Sequence, residues 1–522
     1  MLVNLSLPTP PQNLNKTKTI SHNFPLFSTM DKKQKILVIG AGFAGLSAAA
    51  ILAKEGYEVT VIEKNEMAGG RARTWEKDGF TFDMGPSWYW MPDVFENFYQ
   101  LFNHTTSDFY ELKRLSPSYR IYFGKADTLD VPATTTALYE LFENLEPGSS
   151  KNLTSFLKQA KYKYDVGMNE YVFKPSHSVI EYFDPRLAIS GIKLQLLGNM
   201  RKHVHQLFKN EKLRKLLEFP VLFLGATPQN TPALYSLMNY ADLILGTWYP
   251  MGGMHKIVSA MQTIAEKQGV KFIFNTEVSK IKVTDKTAEE VLTNQGNFKA
   301  DFIIGNADYH HIDQQLLEKP YRNYSEEYWN KRTMAPSCLL FYIGLDKKLD
   351  NVLHHNLFFD QDFDQHAKEI YSEAQWPSQP LFYACCPSVT DASVAPEGCE
   401  NLFFLIPLAP GLTDSEAERE KYFNVLCKRF ADLTGNNIKD NILFKRSYAM
   451  DDFVSDYHAY KGNAYGLANT LKQTAFLKPS IKSIVTNFLY TGQLTVPGPG
   501  VPPAIISGQV VAKETIKKLN KS

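Results

Sequence analysis

Cysteine is scarce in this chain, with five among 522 residues, at positions 338, 385, 386, 399 and 427. Their number is odd, their spacing irregular, and no two form a Cys-x-x-Cys pair, which excludes a disulfide framework and a zinc ribbon. Buried, reduced thiols are the expectation. No stretch reaches the ~20 consecutive apolar residues of a membrane-spanning helix. His-Glu-x-x-His and the nucleophile elbow are both missing, so neither metalloprotease nor serine-hydrolase chemistry is indicated. The neighbouring His354 and His355 tempt a metal reading, but adjacent residues of an extended chain point to opposite sides. No metal is therefore expected. Charge of one sign is also lacking: 56 basic residues stand against 55 acidic ones, a formal net charge of +1. The global field favours neither nucleic acid nor membrane.

The first 29 residues contain two lysines, four prolines, no arginine and no acid. They lack the apolar stretch of a secretory signal. A disordered leader, or translation upstream of a natural start at Met30, fits this composition better than a transit peptide does. Beyond them the chain is long enough for two domains.

The chemistry begins at residue 35. Residues 35–39 are a short apolar run, as in a strand buried on both faces. They lead into Gly40-Ala-Gly42-Phe-Ala-Gly45, then a run of helix formers, then a second apolar run at 58–62 closed by Glu63. Gly-x-Gly-x-x-Gly alone is weak. Between a strand and a helix, with an acid eighteen residues past its last glycine, it is strong. Gly40 permits the tight turn, Gly42 lets backbone approach a pyrophosphate, and Gly45 lets helix and strand pack closely. The helix start offers N–H groups to phosphate, and Glu63 accepts from ribose hydroxyls while repelling a 2′-phosphate.

The next stretches carry a family resemblance. Gly69-Gly70-Arg71-Ala-Arg73 and Phe82-Asp-Met-Gly85-Pro-Ser87-Trp88 are similar to segments of the two-domain flavoproteins that include amine oxidases, protoporphyrinogen oxidase and carotenoid desaturases. The resemblance implies FAD, with Gly70 and Arg71 at the pyrophosphate and flavin and Ser87 and Trp88 lining the isoalloxazine. Arg71 also suits a diphosphate on its own chemistry. Val278 lies in a segment similar to the one whose valine backbone contacts adenine. Asn306 ends a strand, where ligands of an open parallel sheet collect. A helix is expected over residues 256–268.

Near the C-terminus a strand over 488–491 reaches Gly492, and a Pro/Gly loop runs through Val501 to a helix from about Pro503. Its glycines allow close backbone approach, and its helix start faces something electron-rich. This tail resembles the bacterial phytoene desaturase signature, and with His354-His-Asn-Leu-Phe-Phe359 and Gly462-Asn-Ala-Tyr-Gly466 the likeness extends over residues 35–517.

The expected fold is α/β. A Rossmann-like FAD-binding domain is built from discontinuous segments (30–115, 245–310 and 480–522), and a mixed α+β substrate domain from 116–244 and 311–479. The resemblance implies stepwise desaturation of phytoene, a long apolar isoprenoid, with dioxygen or a quinone as electron acceptor and a cytoplasmic enzyme held peripherally on the membrane. Other carotenoid oxidoreductases (hydroxycarotenoid desaturase, carotene isomerase, retinol saturase) and a non-redox prenyl-lipid carrier share the scaffold. Residues 193–215 carry seven basic side chains against the single acid Glu211, with apolar residues at roughly helical spacing. They read as one basic amphipathic helix suited to an anionic surface. If an ionisable pair takes part in the chemistry, Asp184 and Arg186 are the candidates, within an apolar stretch.

Overall fold

The computed structural model describes residues 34–182, 198–225, 227–470 and 472–521. Asp184 and Arg186 lie outside these residues, as does the start of the basic stretch.

The apolar run at residue 35 forms strand β1 (Lys35–Ile39), buried from Ile36 onward. Helix α1 (Phe43–Lys54) follows at once, then strand β2 (Glu58–Ile62). The alanines of α1 leave it slim enough to be buried on several sides. It packs against both the His255–Lys267 helix and the C-terminal Val501–Leu519 helix. Strands Phe488–Tyr490, Phe302–Gly305, β1, β2 and Lys271–Ile273 form, in that order, one parallel sheet. Three distant stretches of chain thus meet in it. Helices cover it, which is why β1 reads as a continuous apolar run rather than an alternating one.

A second sheet has seven strands, in the order Ile442–Tyr448, Ser337–Leu345, Glu400–Leu408, Phe382–Cys385, His355–Phe358, Tyr119–Gly124, Asp127–Val131. All its pairings are antiparallel except His355–Phe358 with Tyr119–Gly124. Its long strand Ser337–Leu345 is buried throughout, and the two-residue period divides its side chains. Leu339, Phe341, Ile343 and Leu345 enter a core shared with the Glu416–Thr434 helix. Cys338, Leu340 and Tyr342 enter the core shared with the parallel sheet's helices. Cys338 and Leu340, on that second face, reach a cavity at the ends of the parallel strands.

Two expectations are corrected. Residues 193–215 are not one helix: their described part divides into Met200–Leu207 and Glu211–Glu218, with Phe208 extended between them. Asn199 and Asn210 each cap a new start by accepting backbone N–H bonds, which asparagine does better than it continues a helix. Three of the stretch's six basic side chains among the described residues are also ion-paired. Arg201 bridges Asp364 (2.7 Å) and Glu218 (3.1 Å), Lys212 meets Asp127, and Arg214 meets Glu211. Second, the C-terminal helix begins at Val501, ahead of Pro503, because prolines fit its first turn.

Among the described residues no helix is long and apolar enough to cross a membrane. Four of the five thiols are buried, and all are free.

Candidate functional site

At the C-terminal ends of the parallel strands lies a cavity of about 290 Å³. Gly40, Gly42, Glu63, Gly70, Arg71, Val278, Asn306, Gly492 and Val501 all line it. The turn after β1 needs the left-handed backbone that Gly40 supplies (φ +101°). Asn306 holds that turn from the neighbouring strand end, donating from Nδ2 to the Gly40 carbonyl at 2.9 Å. Asn306 is thus both a wall of the cavity and a clamp on its glycine turn. Glu63 is buried at the end of β2. Its Oε2 accepts from the Ala41 N–H at 2.7 Å and its Oε1 from the backbone and side-chain nitrogens of Asn65, both at 2.9 Å. Oε2 retains acceptor capacity beyond Ala41.

Two helix starts meet this cavity. Gly42 is the N-cap residue of helix α1 and Gly500 that of the C-terminal helix; neither helix has a side-chain cap or an acid in its first turn. Their positive dipole ends are therefore unneutralised by protein groups. In the C-terminal helix Pro502 and Pro503 have no N–H, so Val501 supplies the donor at the cavity wall. Pro503 does not line the cavity; it stiffens the turn. Gly45 is not on the wall either. A Cβ there would fall 2.2 Å from the Gly40 carbonyl oxygen, so its role is close packing.

Arg71 is the charged centre of the site. Burial lowers its pKa, and nearby Asp308 only partly offsets this. Burial in turn raises the pKa of Asp308, against the pull of Arg71. One guanidinium nitrogen donates to the Asn463 carbonyl at 3.2 Å, and the group lies 5.2 Å from the Tyr457 ring centre. With its carboxamide oxygen turned inward, Gln493 accepts from both terminal nitrogens at 3.1 and 3.2 Å. Nε is buried without a protein acceptor. A buried cation with an unsatisfied donor is costly unless an anion meets it. Open helix starts, glycine backbone and this guanidinium are a donor set that fits a dinucleotide diphosphate.

Several wall residues were not evident from the sequence. His311 and His458 stack at 3.9 Å beside Lys64 and Glu277. Burial pushes His311 down to about 3, so it is neutral. Cys338, Leu340, Leu405, Phe453 and Tyr465 form an apolar wall from the seven-stranded sheet and its surroundings. Asp308 and Gln493 each adjoin a segment whose pattern is readable. Tyr465 lies in the Gly462–Gly466 stretch; the histidines and the wall residues Cys338, Leu340, Leu405 and Phe453 carry no local signal.

Ser87 and Trp88 are placed elsewhere. Gly85 and Pro86 reach the cavity, but Tyr89 then pairs with Trp248 and draws the chain away. Ser87 accepts a hydrogen bond from the Tyr383 hydroxyl at 3.0 Å. Trp88 stacks on His355 (4.1 Å, 8°) amid Trp90, Tyr119, Phe219 and Tyr383. His354 and His355 do not diverge as expected: their rings lie 4.5 Å apart. His354 precedes the strand, so strand alternation does not apply to it.

Residues 43–516 match the family model described as flavin containing amine oxidoreductase. A carotenoid 3,4-desaturase of Haloarcula japonica is 39% identical over 93% of this chain and 99% of its own length. A 4,4'-diapophytoene desaturase (4,4'-diaponeurosporene-forming) of Staphylococcus aureus is 31% identical over 93% and 99%. In structure, an oxidoreductase from Methanosarcina mazei superposes with a TM-score of 0.61 at 15% identity, covering 92% of this chain and 100% of that one.

Proposed function

This chain belongs to the flavin-containing amine oxidoreductase family and is an FAD-dependent oxidoreductase, and from that premise we propose that it desaturates carbon–carbon bonds of a carotenoid-class isoprenoid. The observation that carries the reading is the cavity itself. Arg71, Gly42 and two open helix starts lie along its wall together with the apolar surface of Cys338, Leu340, Leu405 and Phe453. An anionic cofactor and a hydrocarbon substrate need both.

FAD, when bound, accepts the hydrogen and electron pair that desaturation removes. The protein's part is binding and exclusion. Arg71 and the N–H groups at the starts of the two helices would hold the diphosphate and the electron-rich edge. Glu63 would take ribose hydroxyls, and the Val278 segment would supply the adenine contact. The apolar wall keeps water from the reacting carbon. No strong base is required where an extended polyene spreads positive charge and then releases a proton.

Two substrates are favoured by specific observations. The C-terminal Gly/Pro signature supports phytoene. The 39%-identical relative, named for the 3,4 bond, supports a carotenoid that already carries a long polyene. Such substrates partition into bilayers, so we place the enzyme peripherally at a membrane surface, with dioxygen or a quinone as final acceptor. The test is anaerobic mixing of the FAD-loaded protein with phytoene, or with an acyclic carotene saturated at the 3,4 position, in liposomes. Flavin bleaching with a red-shifted polyene spectrum is expected for one of them. An oxidised flavin with both would sink the proposal.

A further inference from the structure

Beneath Trp88, away from the FAD cavity, lies the one group among the described residues with metal-ligand spacing: His354, His355 and Cys385. One ligand atom from each lies within 4.8 Å of the other two. The fold produces this meeting. His355 and Cys385 are direct partners across two antiparallel strands, so their side chains leave the sheet on one face. Cys385 Sγ is 3.8 Å from His355 Nδ1. His354, just before the strand, bends its ring to the same side.

The hydrogen bonding around them has the form that surrounds metal-bound imidazole. His355 Nδ1 pairs with the Tyr383 hydroxyl at 2.6 Å, and His354 Nδ1 with the Thr390 hydroxyl at 2.9 Å. Both Nε2 atoms are buried with no partner, although both histidines are at least nineteen-twentieths buried. For His354, a ring held through Nδ1 with Nε2 left free is how outer-shell groups prepare a histidine ligand; His355 presents Nδ1 to Cys385 Sγ and the Tyr383 hydroxyl, and an unpartnered Nε2 on its other edge. A small cavity of about 10 Å³ adjoins His354 and Cys385. It is also lined by Asp83, Tyr249 and Asn401, and the Tyr249 hydroxyl and Asn401 Oδ1 are likewise buried without partners.

We propose that His354, His355 and Cys385 form a site for a borderline-soft divalent metal ion of the zinc class, separate from the FAD cavity. Two imidazoles and a thiolate select such ions over magnesium or calcium. Bonds of about 2.0–2.3 Å set tetrahedral ligand atoms roughly 3.3–3.8 Å apart, so the three side chains close by about an ångström on binding. Two metal–nitrogen bonds and one metal–sulfur bond form. The Cys385 S–H bond breaks, its proton passes to the buffer, and no electron is transferred. The site ties two strands of the seven-stranded sheet together directly under Trp88. It does not depend on which substrate the enzyme takes.

The experiment is titration of the FAD-loaded full-length protein, stripped of metal by a chelator, with Co(II) alone. Visible d–d bands are read at wavelengths beyond oxidised flavin absorption, with metal content measured after desalting. One Co(II) per chain is expected. It should be lost in Cys385→Ser and in His354→Gln, each retaining wild-type FAD content, and kept in Cys427→Ser, a buried thiol elsewhere. Tyr383→Phe should weaken binding ~10–100-fold. Should Cys385→Ser fail to hold FAD, His354→Gln decides alone. Absence of the bands in the wild type, or cobalt binding unchanged in His354→Gln, would overturn the site.

Discussion

Gly508 packs against Ala44 so closely that a Cβ on the glycine would fall 2.2 Å from the Ala44 carbonyl oxygen. Beside this contact Ser47 Oγ donates to the Ile505 carbonyl at 2.8 Å. Helix α1 and the C-terminal helix are locked at this crossing, and each opens its N-terminus on the FAD cavity. Gly508→Ala should force them apart, costing about 1–3 kcal/mol of stability and lowering FAD occupancy. Thermal unfolding and flavin-to-protein absorbance ratio measure the two effects.

Arg71 is buried, and its Nε has no protein acceptor. Arg71→Met should leave the fold intact, since it removes a desolvated charge, yet weaken FAD binding roughly 10–100-fold, the worth of charged hydrogen bonds to phosphate. Arg71→Lys should recover only part, because a point charge cannot copy the guanidinium fork. Flavin fluorescence on release gives the dissociation constants. Equal affinity in all three proteins would contradict the assignment.

Trp88 stacks on His355 rather than lining the cavity. Trp88→Phe should therefore retain FAD at wild-type stoichiometry, as read by the flavin-to-protein absorbance ratio. Loss of flavin from this variant would return Trp88 to the cofactor.

Asp242 is buried and accepts from the Tyr119 hydroxyl at 2.6 Å and from Thr247 at 3.3 Å. Burial outweighs these bonds and pushes it up to about 7 from an ordinary 3.8. Between those values the folded state binds the extra proton, so this group's contribution to stability falls as pH rises through the window. Above about 7 its ionised form costs the fold on the order of 2–4 kcal/mol. Asp242→Asn should flatten this part of the stability–pH profile. Its advantage over wild type should grow from pH 4 to 7 and then level off, as read by melting temperature. A constant offset would show that Asp242 is ionised throughout.

Glu63 holds the glycine turn through the Ala41 N–H. Glu63→Ala should cost about 1–3 kcal/mol of FAD affinity by freeing a buried N–H as well as losing the ribose acceptor. Glu63→Gln should lose less, since its oxygen still serves Ala41. Isothermal titration with FAD distinguishes the two.

The β1–α1–β2 unit is legible in the chain alone, because an apolar run, three glycines and an acid are local in sequence and each has one physical use. The C-terminal loop and Arg71 are legible for a similar reason: backbone approach and phosphate demand those residue types. Meetings between chain-distant residues came only with folding. Strand pairing across thirty residues put Cys385 opposite His355, and a bend before the strand turned His354 beside them. Tyr89 pairing with Trp248 moved Ser87 and Trp88 off the cavity that their neighbours line. Asparagine caps divided the basic stretch that composition read as one helix. His311, His458 and the apolar wall came to the site by packing. No short window of sequence contains the partners that such contacts require.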